Sequence, residues 1–284
     1  MSSSSSITVL KRKFGWTGVD VPLVGQGTWM IEGNGRGDER RAVEALRLGL
    51  DLGLTHIDTA EMYGNGRVEE EIVADAIPGR REEVFLVSKV WPSNAWYEGT
   101  LRACERSLKR LKTHWLDLYL LHWPSDRYSI KETMLAMEKL VEDGLVRFIG
   151  VSNFDVAELK EAEQMMSRHR IACNQVPYNL DNRRIEQDLL PYCADRQIAV
   201  VGYSPFGHGN FPSARSPQGQ VLDEIARRHG CTPRQVVLNY LTRHPNTFTL
   251  PKAKGLQHVI ENSGSVGWNL TDEDVAAIDQ AFPI

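Results

Sequence analysis

Eight short apolar runs alternating with helical stretches, no linker dividing them, and polar residues standing where several runs stop predict an α/β chain folded as a (β/α)8 TIM barrel. The runs lie near residues 23–28, 54–58, 83–88, 116–121, 145–151, 171–176, 198–203 and 247–250. They are rich in Val, Ile and Leu without polar alternation, the composition of strands buried on both faces of a parallel sheet. Helical stretches near 38–53, 68–77, 98–111, 130–143, 155–168, 184–196, 217–229 and 233–243 separate them, and two more near 256–263 and 271–281 are extra C-terminal helices. The expected organisation is a single barrel domain over residues 7–284.

Residues 1–6, Met1 followed by Ser2 to Ser6, are low in complexity and are expected to be a disordered tail or an expression remnant. Residues 7–21 alternate polar and apolar groups around Phe14-Gly15-Trp16-Thr17-Gly18, which predicts an N-terminal β-hairpin plugging one end of the barrel. After the first strand, Gly33-Asn34-Gly35-Arg36-Gly37 forms a glycine-rich loop, and Asp38 is the expected N-cap of the first helix. Asp155 and Thr271 stand at the starts of two later helices in the same way. Leu52, Leu54 and Ile57 are read as one short buried strand ending at Asp58.

The 284 residues carry a net charge of −4 with both signs intermixed, which excludes the concentrated basic stripe of a nucleic-acid-binding surface and favours a small-molecule partner. Cys104, Cys173, Cys193 and Cys231 are far apart and show no metal-ligand spacing, so neither a disulfide framework nor a metal site is expected. The N-terminus lacks a charged start and a long apolar core, and no run approaches membrane-spanning length. The expectation is a cytoplasmic protein with no membrane partner, a monomer or weak oligomer.

Barrel enzymes build their sites at the carboxyl ends of the strands. Asp58, Lys89 and His122 fall at three consecutive strand ends, and Tyr63 follows on the loop after the first. A tyrosine, with an ordinary pKa of about 10, keeps its proton near neutrality and can donate it to an oxygen gaining charge. An ammonium about 4 Å away, at an effective dielectric of about 20, favours the phenolate by about 4 kcal/mol. Burial would push Lys89 toward the neutral amine, and a carboxylate such as Asp58 beside it would keep it charged. A neutral His122 could orient the substrate oxygen. Taken singly, Tyr63 could be a structural loop residue, Asp58 a helix cap and His56 a satisfied core histidine, but a lysine ending a buried strand is costly without a partner.

Asp58, Tyr63, Lys89 and His122-Trp123-Pro124 together resemble the tetrad of the aldo-keto reductases, in their small, soluble, prokaryotic-type form. Further matches are Gly150-Val151-Ser152-Asn153-Phe154, Asn174-Gln175, Tyr178-Asn179, Tyr203-Ser204-Pro205-Phe206, Leu250-Pro251-Lys252 and Glu261-Asn262. The resemblance covers nearly the whole chain. It implies reduction of aldehyde and ketone carbonyls to alcohols with a nicotinamide dinucleotide, NADPH preferred and NADH possible. No G-x-G-x-x-G follows any strand, in keeping with a cofactor site that is not a Rossmann domain. By the resemblance Tyr63 is the proton donor, Asp58 and Lys89 tune it, and His122 orients the carbonyl. Ser152, Asn153 and Gln175 would hold the carboxamide and Tyr203 would stack on the nicotinamide. Ser204 and Phe206 would also line the cofactor site, and Lys252, Ala253, Lys254, His258, Glu261 and Asn262 would meet its phosphate and adenosine end. His258 departs from the pattern, since many relatives place an arginine there for the 2′-phosphate, and imidazole lacks the bidentate fork. Trp29, Trp91 and Trp123 would wall the substrate pocket.

Two other readings compete with the reductase. A barrel lyase would use Lys89 to form a Schiff base, which requires a neutral amine that Asp58 opposes. A regulatory protein would bind the cofactor with little turnover, which an intact tetrad disfavours.

Overall fold

The computed structural model describes residues 9–33 and 35–284, with Glu70 described by its backbone only. The serine run, the first two residues of the expected hairpin and Asn34 of the glycine-rich loop lie outside the described residues.

Strands β1 (Lys11–Lys13) and β2 (Asp20–Pro22) pair antiparallel around a 3-10 turn at Gly15–Thr17. The hairpin does plug the barrel. Phe14 is fully buried, with its ring centroid 5.0 Å from that of Phe85 and 4.9 Å from that of Phe248. Trp16 fastens the plug by donating from its indole to the Ile171 carbonyl at 2.8 Å.

Eight parallel strands follow: β3 (Gln26–Gly27), β4 (His56–Asp58), β5 (Phe85–Val90), β6 (Leu116–Leu121), β7 (Val146–Ser152), β8 (Ile171–Pro177), β9 (Ala199–Tyr203) and β10 (Thr247–Leu250). Each pairs with its sequence neighbours, and Val24 bridges Thr249 in parallel, so the first strand meets the last and the barrel closes. Gly25 N–H donates to the Thr249 carbonyl at 2.9 Å, and Thr249 N–H donates to that of Leu23 at 2.8 Å. Closure leaves no free sheet edge.

Around the barrel stand α1 (Arg36–Asp51), α2 (Ala74–Ala76), α3 (Tyr97–Leu111), α4 (Ile130–Glu142), α5 (Val156–Met165), α6 (Leu189–Asp195), α7 (Pro217–His229), α8 (Pro233–Leu241), α9 (Leu256–Ser263) and α10 (Asp272–Ala281). The strands' inner side chains make one buried apolar cluster with the plug, and their outer ones make a second with the helices.

Several boundaries differ from the sequence reading, each for a local reason. Leu52 and Leu54 belong to the turn after α1, where Leu54 N–H donates to Gly49, so β4 begins only at His56. Asp38 lies inside the first turn of α1, whose N-cap is the extended Gly35. There Asp38 and Glu39 complement the helix dipole instead of capping. The stretch 68–77 opens with a wide π turn over Val68–Val73 before α2. The stretch 184–196 divides into a 3-10 turn, Arg184–Glu186, and α6, where the Asp188 side chain accepts from Leu189 N–H. Asp155 and Thr271 do cap α5 and α10, each through a capping box.

Helix α5 stops at Met165 because a carboxylate from α4 takes over the next amides. Glu138 Oε1 accepts from the backbone N–H of Ser167, Arg168 and His169 at 3.0, 2.7 and 2.9 Å. Burial alone would raise the carboxyl pKa, but the three amide donors outweigh it and hold it below the usual range. A depressed carboxyl stabilises the fold above its unfolded pKa of about 4.3, and that contribution fades as pH falls through the folded value. Glu138→Ala is therefore expected to cost about 1–3 kcal/mol at neutral pH. Urea melts at pH 7 and in the acid range check this; a variant with wild-type stability at pH 7 would remove Glu138 from the account.

Candidate active site

At the carboxyl end of the barrel, opposite the plug, β4, β5 and β6 deliver three of the predicted residues side by side. Lys89 is completely buried within β5, one position inside the end of a strand that runs past its expected limit at residue 88 to Val90, and its Nζ donates to Asp58 Oδ1 at 2.6 Å. The remaining Nζ protons meet the Thr59 carbonyl at 2.8 Å and the Tyr63 hydroxyl at 3.2 Å. Asp58 places its second oxygen, Oδ2, on Gln175 Nε2 at 2.8 Å. The pair is thus satisfied on every side, the condition under which a buried charge persists.

Electrostatics correct one expectation. Burial lowers the Lys89 pKa, but Asp58 and then Tyr63 oppose it more strongly, and the ammonium ends above its ordinary value. For Tyr63, burial is the largest influence and raises the phenol pKa; Lys89 pulls it down without overcoming burial, and the net direction is upward. The cation moderates the cost of ionising Tyr63; it does not make the residue more acidic than a free tyrosine. Burial, with help from Lys89, pushes His122 down to about 3, so the imidazole is neutral.

Tyr63 is brought in by a left-handed turn. Gly64, Asn65 and Gly66 have φ of 56°, 56° and 92°, where two glycines relieve most of the strain. Glu61 ties the same loop to the next one, its Oε1 accepting from Trp91 N–H at 2.7 Å and Asn94 Nδ2 at 2.9 Å. The Tyr63 and His122 rings meet edge-on with centroids 5.7 Å apart.

A cleft of about 760 Å³ opens over these groups. Asp58, Tyr63 and His122 line it, with Lys89 behind them. Ser152, Asn153, Gln175, Tyr203, Ser204, Phe206 and Lys252 line it too, as do Trp29 and Trp123. Asn153 is the junction: its Nδ2 donates to the His122 carbonyl at 2.9 Å, and its Oδ1 accepts from Tyr203 OH at 2.8 Å. Among the described residues, seven other than glycine have positive φ, and four of them, Met30, Asn153, Ser204 and His208, line this cleft. Backbone strain concentrated at one cavity marks a functional site.

Other predicted residues stand elsewhere. Trp91 is 36 % exposed and outside the cleft lining, its backbone N–H bonded to Glu61. Lys254 and His258 are exposed beyond the cleft wall on the rim that Lys252 begins, and Ala253 and Asn262 sit behind that wall near Val259. Glu261 is engaged, its Oε1 accepting from Thr232 Oγ1 at 2.7 Å and its Oε2 standing 3.5 Å from His258 Nδ1. His56 is a core histidine between Phe14 and Phe85, pushed by burial to about 4, yet neither ring nitrogen has a partner among the described residues.

Sequence reasoning missed Met30, Met62, His208, Phe211 and Arg234, which also line the cleft. No motif marks them, since loops reach the cleft by tertiary folding. Among the described residues no helix is long and apolar enough to cross a membrane, and no cluster of His, Cys, Asp or Glu could hold a metal ion.

Lys89→Met would leave Asp58 a buried carboxylate with only Gln175 as partner, an expected loss of about 3–5 kcal/mol. A raised lysine stabilises the fold below its unfolded pKa of about 10.4 and loses that contribution only as pH rises through the folded value, so the deficit should be fully present at pH 7. Denaturant midpoints decide; an unchanged midpoint would contradict the pairing.

The geometry agrees with known proteins. The family model described as the Aldo/keto reductase family matches residues 23–282. Methylglyoxal reductase YeaE of Escherichia coli (strain K12) is 43% identical over 265 residues, 93% of this chain and 92% of that protein. Among solved structures, the thermostable aldo-keto reductase Tm1743, in complex with the inhibitor epalrestat, is 40% identical with a TM-score of 0.90, covering 96% of this chain and 99% of that one. An aldo-keto reductase from Klebsiella pneumoniae in complex with NADPH is 40% identical with a TM-score of 0.89, covering 97% and 96%. Matching from the second β-strand region to the last helix, at this identity and with this barrel, the chain belongs to the aldo/keto reductase family.

Proposed function

We propose that this oxidoreductase reduces small aldehydes, activated ketones and dicarbonyls with NADPH, Tyr63 giving the proton that the product alcohol gains. The observation that carries the reading is the cluster of Tyr63, fully buried Lys89, Asp58 and neutral His122 beneath an open, aromatic-rimmed cleft. NADPH, when bound, supplies the hydride.

The residues do the rest. His122, uncharged, directs the substrate carbonyl oxygen toward the Tyr63 hydroxyl. As negative charge develops on that oxygen, Tyr63 releases its proton, and Lys89 at 3.2 Å stabilises the phenolate left behind. Asp58 keeps Lys89 an ammonium, which removes the neutral amine that a Schiff-base lyase would need. Ser152, Asn153 and Gln175 offer hydrogen-bonding groups for a carboxamide, and Tyr203 presents a ring for stacking. The fit to a nicotinamide dinucleotide rests on charge: Asp58 is the only carboxylate lining the cleft among the described residues, it is matched by Lys89, and Lys252 adds a cation where the cleft meets the rim. The small-dicarbonyl assignment draws on the methylglyoxal reductase named among the relatives. It also fits the exposed mouth residues Trp29 and Met30, 42 % and 53 % accessible, which leave the site open to the solvent.

Tyr63→Phe is expected to lower turnover by about 10²–10⁴-fold while leaving the NADPH dissociation constant nearly unchanged. Collapse of cofactor binding would make Tyr63 structural. With the Tyr63 phenol above its usual range and His122 at about 3, neither changes protonation near neutrality. The profile of kcat/KM for reduction should therefore stay flat from about pH 5 to about pH 9. A limb near pH 6.5 would show that His122 titrates and is not the neutral group assigned here.

Cofactor choice gives a separate test. Lys252→Ala should weaken NADPH selectively, and His258→Arg should tighten it selectively by adding a bidentate fork for the 2′-phosphate. Dissociation constants for both dinucleotides check this; parallel shifts for NADH would show that neither side chain reads the phosphate.

A further inference from the structure

Arg234 is the second residue of α8 and lines the cleft together with Lys252. No side chain or carbonyl among the described residues is given to its guanidinium by a hydrogen bond or ion pair; its contacts are aromatic. Its Cζ lies 4.7 Å from the Phe206 ring centroid and 4.6 Å from that of Phe211, and those two rings are 5.8 Å apart. The rings are much closer together than the sum of their distances to Cζ, so they do not sandwich the guanidinium from opposite sides. The residue lines the cleft, and no described residue takes up its N–H groups. Cation–π contacts of this kind hold an arginine in place without consuming its donors.

The position of Arg234 is fixed relative to the Lys252 rim by its neighbours. In the same helical turn, Thr232 Oγ1 donates to Glu261 Oε1 at 2.7 Å and Gln235 Nε2 donates to the Glu261 carbonyl at 2.8 Å. Glu261 in turn stands beside His258. The start of α8 is therefore fastened to α9, the helix that carries His258, and Arg234 shares the cleft lining with Lys252. A planar, five-donor cation built into a cleft with no free carboxylate is a receptor for phosphate oxygens.

We propose that Arg234 reads the 2′-phosphate of NADPH, supplying from α8 the arginine fork that position 258 lacks. The inference rests on the cofactor reading above and deepens it. Phe206 and Phe211 preorganise the side chain, so the phosphate meets a guanidinium already held in place.

The test measures dissociation constants of NADPH and NADH for the full chain by titration calorimetry, in wild type, Arg234→Met and Arg234→Lys. Arg234→Met should weaken NADPH by about 10-fold or more with NADH nearly unchanged, the loss of a charge-assisted contact to one phosphate. Arg234→Lys, which keeps the charge and loses the fork, should fall between the two. An unchanged NADPH constant in either variant overturns the proposal. So does an equal loss for both dinucleotides, which would place Arg234 at a group the two cofactors share or make it a holder of Phe206 and Phe211. Should Arg234→Met fail to fold, Arg234→Lys decides by itself: selective weakening of NADPH supports the assignment, and no selective change overturns it. Wild-type protein that binds neither dinucleotide would instead overturn the cofactor reading itself, and this inference with it.

Discussion

A lysine ammonium with no solvent exposure cannot stay charged unless the protein replaces all of its water. The barrel does so with three oxygens from the loop and strand end around β4: a carboxylate at Asp58, a carbonyl at Thr59 and a phenol at Tyr63. Gln175 on β8 then occupies the other Asp58 oxygen. One charge thereby fixes the relative positions of β4, β5 and β8, and the proposed proton donor, Tyr63, is held as one of its ligands. The demand for a satisfied buried charge and the demand for a placed phenol are met by the same hydrogen bonds.

The two ends of the barrel divide the work. At the amino end Phe14 seals the interior with Phe85 and Phe248, a contact made for packing alone. At the carboxyl end strands stop on polar side chains, and the loops that follow carry left-handed residues that a stability-driven sequence would avoid. Asn153 shows the exchange: its strained backbone lets one amide join the His122 carbonyl to the Tyr203 hydroxyl, linking the proton-donor side of the cleft to the ring that walls its other side.

Much of this was legible in the chain. Strands β6 and β10 and helix α7 match their predicted spans, because unbroken apolar runs and proline or capping signals leave few alternatives. The tetrad was legible because polar residues at the ends of buried strands violate the local pattern. The misread boundaries lie where something other than periodicity intervened: Glu138 ended α5 from another helix, and the local turn after α1 claimed Leu52 and Leu54. Trp91 looked like a pocket wall by position, but it stands exposed outside the cleft lining, its amide bonded to Glu61.

The sequence by itself determined the barrel and the gathering of Asp58, Lys89 and His122 at consecutive strand ends with Tyr63 on the loop after the first, since periodicity and strand-end polarity are local properties. Only the tertiary structure decided the balance of charge and burial, because desolvation depends on what surrounds a side chain from every direction. Burial outweighs Lys89 at Tyr63, while Asp58 outweighs burial at Lys89. It also decided that Arg234 stands against two phenyl rings in the wall of the cleft. Phe206, Phe211 and Arg234 come from a loop and a helix whose meeting no spacing in the sequence encodes.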